Sequence, residues 1–131
     1  MRLWHQKLIP QLPRQQLLGQ HRECCALRGK GWGRNHSTVN YVFQHNPALL
    51  VAYHYLIMEE MKNRGYQPNE IWYDSTYRGS TLGHDKTWDY GSALTDYLMA
   101  VEAGATLYPE HNDAYYQECI ENLKRKGIEL E

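Results

Sequence analysis

No stretch of this chain approaches the roughly 18 to 20 consecutive apolar residues that cross a bilayer, so no membrane span is expected. Cysteine is scarce as well: there are three, an odd number, and Cys24 and Cys25 are neighbours. Adjacent cysteines on a helix point about 100° apart and rarely pair. With no CxxC spacing, the sequence argues against a disulfide framework or a zinc knuckle and for a reducing compartment, most simply cytoplasm. The opening Met1-Arg2-Leu3-Trp4-His5 has one early arginine and no apolar stretch after it, so a secretory signal is not expected. Acidic residues are almost missing from the first 45 positions. There Arg2, Lys7, Arg14, Arg22, Arg28, Lys30 and Arg34 face the single acid Glu23, a net of +6. The remainder carries −7, giving −1 for the whole chain. Such segregation predicts a cationic face that guides a polyanion to one side, or a solvated face with no partner.

What is present reads as one helical domain over residues 1–131, monomeric and all-α, with about four helices and a long turn-rich loop. Pro10 and Pro13 close an extended N-terminal arm, and Pro13 suits the first position of a helix running to about Arg28. On that helix Leu17, Leu18, His21, Cys24 and Cys25 form an apolar arc, opposite Gln15, Gln16, Gly19, Arg22, Glu23 and Ala26. Gly19 costs about 1 kcal/mol against alanine in a helix interior, a cost that makes sense if a partner approaches the backbone beside Glu23. Asn46-Pro47 starts a central helix that reaches Arg64 and stops at Gly65. Residues 67–89 are too turn-rich and too long for a simple connection, which predicts a functional loop or a flexible flap. Helices over Ser92–Ala103 and Asn112–Lys126 follow.

Three features could carry chemistry. Glu23, the one acid of the basic segment, has Arg22 beside it; such a carboxylate is held ionised and could stabilise a cation or abstract a proton, or simply form a surface ion pair. The α-amine of Met1 is the second. At neutral pH an α-amine is roughly several hundred times more often free than a lysine amine, and Arg2 nearby favours the free form further. The third is Arg28-Gly29-Lys30-Gly31-Trp32-Gly33-Arg34, whose glycines, Lys30 and Arg34 could receive phosphates while Trp32 stacks on a base. Trp32 folded back on the core is the other reading. The loop lacks the spacing of a nucleotide-hydrolysing loop.

The seven histidines show no HxH or HExxH pattern, and no Cys/His pairing with ligand spacing. His21 and His54 read as core histidines, and no metal or cofactor is expected. A metal-dependent hydrolase built on His5, His21, Glu23 and His36 stays open as a third class, to be separated by its response to a chelator. The eleven tyrosines are more than a core of this size requires, and read mostly as packing and hydrogen-bonding residues.

The run Met1-Arg2-Leu3, followed by Leu12-Pro13-Arg14-Gln15-Gln16-Leu17-Leu18-Gly19-Gln20-His21-Arg22-Glu23, resembles the pyrimidine-dimer DNA glycosylase family, typified by the phage endonuclease V. Weaker likeness continues through His36-Ser37-Thr38-Val39-Asn40-Tyr41, Met61-Lys62-Asn63-Arg64-Gly65-Tyr66 and Tyr108-Pro109. The resemblance implies an all-α DNA-repair glycosylase and abasic-site lyase that needs no cofactor and acts on damaged or abasic double-stranded DNA. By the same likeness the α-amine of Met1 is the nucleophile and Glu23 the carboxylate that stabilises the sugar cation. Arg2, Gln15 and Arg22, and less directly Arg28 and Lys126, would hold phosphates or the partner of the displaced base. The sequence departs from the family where Gln16 replaces a histidine and where Met1 precedes a bulky arginine. A non-catalytic nucleic-acid-binding domain of the same fold is the alternative.

Overall fold

The computed structural model describes residues 2–35 and 39–130. Among these residues the regular structure is helical: α1 (Arg14–Arg28), α2 (Pro47–Asn63), the single turn α3 (Gly79–Leu82), α4 (Gly91–Glu102) and α5 (Asp113–Arg125). One short 3-10 turn precedes them and three lie between them, and one isolated bridge pairs Tyr77 with His84. No helix is long and apolar enough to cross a membrane among the described residues.

The centre is α2. The Asn46 side chain accepts from the Ala48 N–H at 3.0 Å and Pro47 takes the first position, so the start is fixed by both signals the sequence carries. Every residue from Ala48 to His54 is buried, with Ile57, Met58 and Met61 continuing the buried face. Helices α1 and α4 and the first 3-10 turn pack against it. Helix α5 starts at the Asn112 side chain, which accepts from Tyr115 N–H, and buries Cys119 and Leu123 in the same core.

Two local expectations are corrected. Residues Gln6–Gln11 form a 3-10 turn, where the two prolines predict an extended arm. His5 Nδ1 accepts from Lys7 N–H at 3.1 Å and the turn buries Leu8 and Ile9, which outweighs the extended preference around Pro10. Pro13 is the residue before α1, with ψ of 156°, and the helix begins one position later. The 67–89 stretch, expected as a functional loop or a flap, is tied to the end of α1. It holds the turns Glu70–Tyr73 and Lys86–Trp88 around α3, and two arginines bind it to the end of α1. Arg28 donates to the carbonyls of Trp72, Asp74 and Tyr77, while Arg78 Nε donates to the Arg28 carbonyl at 2.8 Å. Gly31 completes this junction: its N–H bonds the Ala26 carbonyl at 2.9 Å, and a Cβ there would lie 2.7 Å from that oxygen.

Candidate active site

The buried face of α1 is Leu17, Gln20, Cys24, Leu27 and Arg28. The arc is therefore rotated from the apolar one that the sequence predicts, and two polar residues stand inside it. The rotation leaves His21 and Cys25 half-buried and brings Glu23 to the edge of the core, also half-buried. Burial pushes the Glu23 carboxyl above its ordinary value, against the opposing pull of the Arg2 N–H, Gln20 and Arg22. The cations beside it oppose this shift but do not set its direction, because partial desolvation is the larger effect.

Gln20 explains how the carboxylate is held. Its Nε2 donates to Glu23 Oε2 at 3.0 Å and to the Arg2 carbonyl at 2.9 Å. Its Oε1 accepts from Trp4 N–H at 2.7 Å. The Tyr53 hydroxyl proton is shared between that oxygen, at 3.0 Å, and the Trp4 carbonyl, at 2.6 Å. The Arg2 backbone N–H lies toward the same carboxylate and favours its charged form. Farther along the arm, Tyr115 donates to the Leu3 carbonyl, and His111 Nδ1 accepts from Gln6 N–H at 3.1 Å. Residues 2–6 are thus seated on α1, α2 and α5, with their start against Glu23.

The other residues singled out in the sequence divide into three groups. Gln15, Arg22, Lys30 and Arg34 are exposed, and Arg14 joins them on the open side of α1. Lys126, beyond the end of α5, is exposed too. Arg2 is partly buried, its guanidinium over the rings of Trp4 and Tyr115 and 3.9 Å from Glu118. Gly19 leaves open space: a Cβ there would meet nothing closer than Arg22 Nη2 at 3.7 Å, so the protein itself does not require the glycine. Beside the end of α1 a groove lined by Ala26, Lys30, Trp72 and Thr81, among others, continues this open side.

Two residues assigned to nucleic acid take other positions. Arg28 is fully buried, and Nη1 and Nη2 are spent on three carbonyls and His54, so it cannot reach a phosphate. Burial lowers it to about 10, which still leaves it charged at neutral pH. Trp32 is folded back, edge-on to Phe43 at 4.9 Å and to Trp88 at 5.3 Å, so the packing reading of this residue holds. Met1 and His36 lie outside the described residues.

His5 and His21 occupy different environments: His5 stacks on His111, whereas His21 meets His54. Ligand atoms of His21, Cys25 and His54 lie within 4.8 Å of one another, a donor set of the kind that holds zinc. Arg28 decides against that use. Its Nη1 approaches His54 Nδ1 at 3.0 Å and can only donate, so Nδ1 is the acceptor and the ring proton sits on Nε2. That Nε2–H donates to His21 Nδ1 at 2.7 Å, closer than the roughly 3.3 Å that separates two nitrogens on a tetrahedral zinc. A metal on Nε2 would move the proton to Nδ1, against the guanidinium, where metal-bound histidines instead face an acceptor. Burial also pushes the Cys25 thiol up to about 11, away from the thiolate a metal needs.

Glu23 stands out in the sequence as the lone acid of a basic segment, whereas Gln20, Tyr53 and Tyr115, which hold the arm around it, do not. Only the i, i+3 relation of Gln20 to Glu23 is visible in sequence; the partners on the arm and on α2 are far away along the chain. No curated protein and no solved structure matches this chain. A family model, pyrimidine dimer DNA glycosylase, matches residues 1–74, more than half of the sequence and the part that contains the arm, α1 and α2. The chain belongs to the pyrimidine dimer DNA glycosylase family.

Proposed function

We propose that the protein is a DNA glycosylase and abasic-site lyase acting on damaged or abasic double-stranded DNA, with the α-amine of Met1 as nucleophile and Glu23 as the assisting carboxylate. The observation that carries this reading is the seating of Arg2 beside Glu23: Gln20 Nε2 binds both the Arg2 carbonyl, at 2.9 Å, and Glu23 Oε2, at 3.0 Å, and the Arg2 backbone nitrogen lies toward the same carboxylate. That nitrogen is joined to the carbonyl carbon of residue 1, so covalent geometry keeps the preceding α-amine within about one residue's length, ~3.8 Å, of the same region. Amine and carboxylate then form the nucleophile-and-base pair that imine chemistry requires.

The amine attacks C1′ of the nucleotide, its lone pair forming the C–N bond while the base leaves with the C1′–N bonding pair and takes up a proton. Glu23 stabilises the cationic sugar and receives a proton from the attacking nitrogen. Loss of the ring C–O bond gives the imine. Removal of a C2′ proton then expels the 3′-phosphate, and water hydrolyses the imine to release the enzyme. A carboxyl raised by burial is a better acceptor of these protons than an ordinary carboxylate. Arg22, the side-chain cation acting on Glu23, and Lys30 and Arg34 after α1 supply exposed positive charge, Gln15 a neutral donor, and Arg2 a partly buried charge on the arm.

The test is borohydride reduction in the presence of abasic duplex DNA, with strand cleavage followed in parallel. The wild type is expected to form a covalent adduct, and Glu23→Gln to lose cleavage by about 100-fold or more. Salt-sensitive binding with neither adduct nor cleavage contradicts the lyase reading and favours a binding domain.

A further inference from the structure

We propose that Gln20 is the positioning residue of this site: its buried carboxamide docks the N-terminal arm onto the Glu23 carboxylate and so sets where the α-amine stands. The inference rests on the lyase reading above and assigns a role to a residue that touches no substrate.

Gln20 is 1% exposed, yet it is polar and lies inside an otherwise apolar helix face. A primary amide offers two N–H donors and one oxygen with two lone pairs. Both donors are used, one on the Arg2 carbonyl and one on Glu23, and the oxygen takes Trp4 N–H and a share of the Tyr53 proton. The orientation is fixed by chemistry. Turning the amide over would set its NH2 against the Trp4 N–H and its oxygen against a carbonyl and a carboxylate. The side chain thus grips the arm on both sides of Leu3, in the manner of a neighbouring strand, with its remaining donor aimed at the proposed catalytic group.

The arm has other anchors, which makes the role separable from folding. Tyr115 donates to the Leu3 carbonyl, Tyr53 to the Trp4 carbonyl, and Gln6 N–H binds His111. None of these touches Glu23. The charged and titratable groups around the carboxylate are Arg22 and Cys24 on α1 and Arg2 on the arm, with the α-amine before it. Tyr115 and Glu118 on α5 face Arg2, and Tyr53 on α2 reaches Gln20.

The experiment compares wild type, Gln20→Met and Tyr115→Phe in the full chain. The Glu23 carboxyl is titrated by carbon NMR, and single-turnover cleavage of abasic duplex is measured from pH 5 to 9. Gln20→Met removes the donor to Glu23 and loosens the arm. It is expected to move the Glu23 titration upward by about one unit, shift the acid limb of the cleavage profile with it, and lower the maximal rate about tenfold or more at unchanged DNA affinity. Tyr115→Phe loosens the arm alone and is expected to slow cleavage with no shift in either titration. An unmoved Glu23 titration in folded Gln20→Met overturns the inference. Wild-type protein that cleaves no abasic DNA overturns the reading beneath it.

Discussion

Arg28 and His54 meet in the core at 3.0 Å, guanidinium nitrogen to imidazole Nδ1, and that contact orders everything around it. It fixes the proton of His54 on Nε2, turns that proton toward His21, and leaves three further arginine bonds to hold the 67–89 segment. A cation that composition assigns to a DNA-binding face is instead the internal anchor of the fold.

The consequence for metals is direct. Titration of the purified protein with zinc or cobalt at neutral pH is expected to give no stoichiometric site, and a chelator to leave any cleavage unchanged. A cobalt–thiolate absorption band that disappears in Cys25→Ser contradicts the proton assignment at His54.

Arg28 and Lys30 lie two residues apart and predict opposite phenotypes. Arg28→Met leaves buried carbonyls without donors and is expected to cost about 3 kcal/mol or more in urea unfolding. Lys30→Ala and Arg34→Ala are expected to stay within about 0.5 kcal/mol of wild type, and each lowers the salt dependence of DNA binding by about one ion. A stable Arg28→Met with a reduced salt slope reverses the assignment.

Acid stability follows from the buried histidines. Burial, with His5 beside it, lowers His111 to about 3, and burial with Arg28 beside it holds His54 well below its ordinary value. The folded pKa lies below the unfolded one, so the unfolded chain binds more protons in acid. This stability is complete above about pH 6.5 and is lost as pH falls, by about 1.4 kcal/mol per pH unit for each histidine. Urea midpoints should drop steeply from pH 6 to pH 4, with a shallower slope in His111→Gln. A flat profile over that range counts against neutral buried histidines.

Gly19 separates stability from function. A methyl group at this position would have no neighbour closer than 3.7 Å, so Gly19→Ala is expected to stabilise the protein by about 0.5–1 kcal/mol while weakening cleavage of abasic duplex. Full activity in a stabilised Gly19→Ala shows that nothing approaches the helix there.

Helix α2 is legible in sequence because Asn46-Pro47 and an unbroken apolar run state the same thing locally, and Glu23 because charge isolates it. The buried face of α1 is not. Gln20 and Arg28 look like solvent residues until Trp4, Tyr53 and the carbonyls of 72–77 come to them from distant positions. The turn at Gln6–Gln11 is hidden for a similar reason, since its signal is a histidine side chain that caps a backbone N–H. Local propensity is visible in sequence; long-range satisfaction of buried polar groups is not.

The central claim is that the reacting amine belongs to residue 1 and stands against Glu23. Reduction of the protein on abasic duplex, followed by proteolysis and mass spectrometry of the adduct, tests it most directly. A sugar remnant is expected on the α-amine of the N-terminal peptide, and none in a terminus-blocked protein. A remnant on Lys30 or another lysine contradicts it.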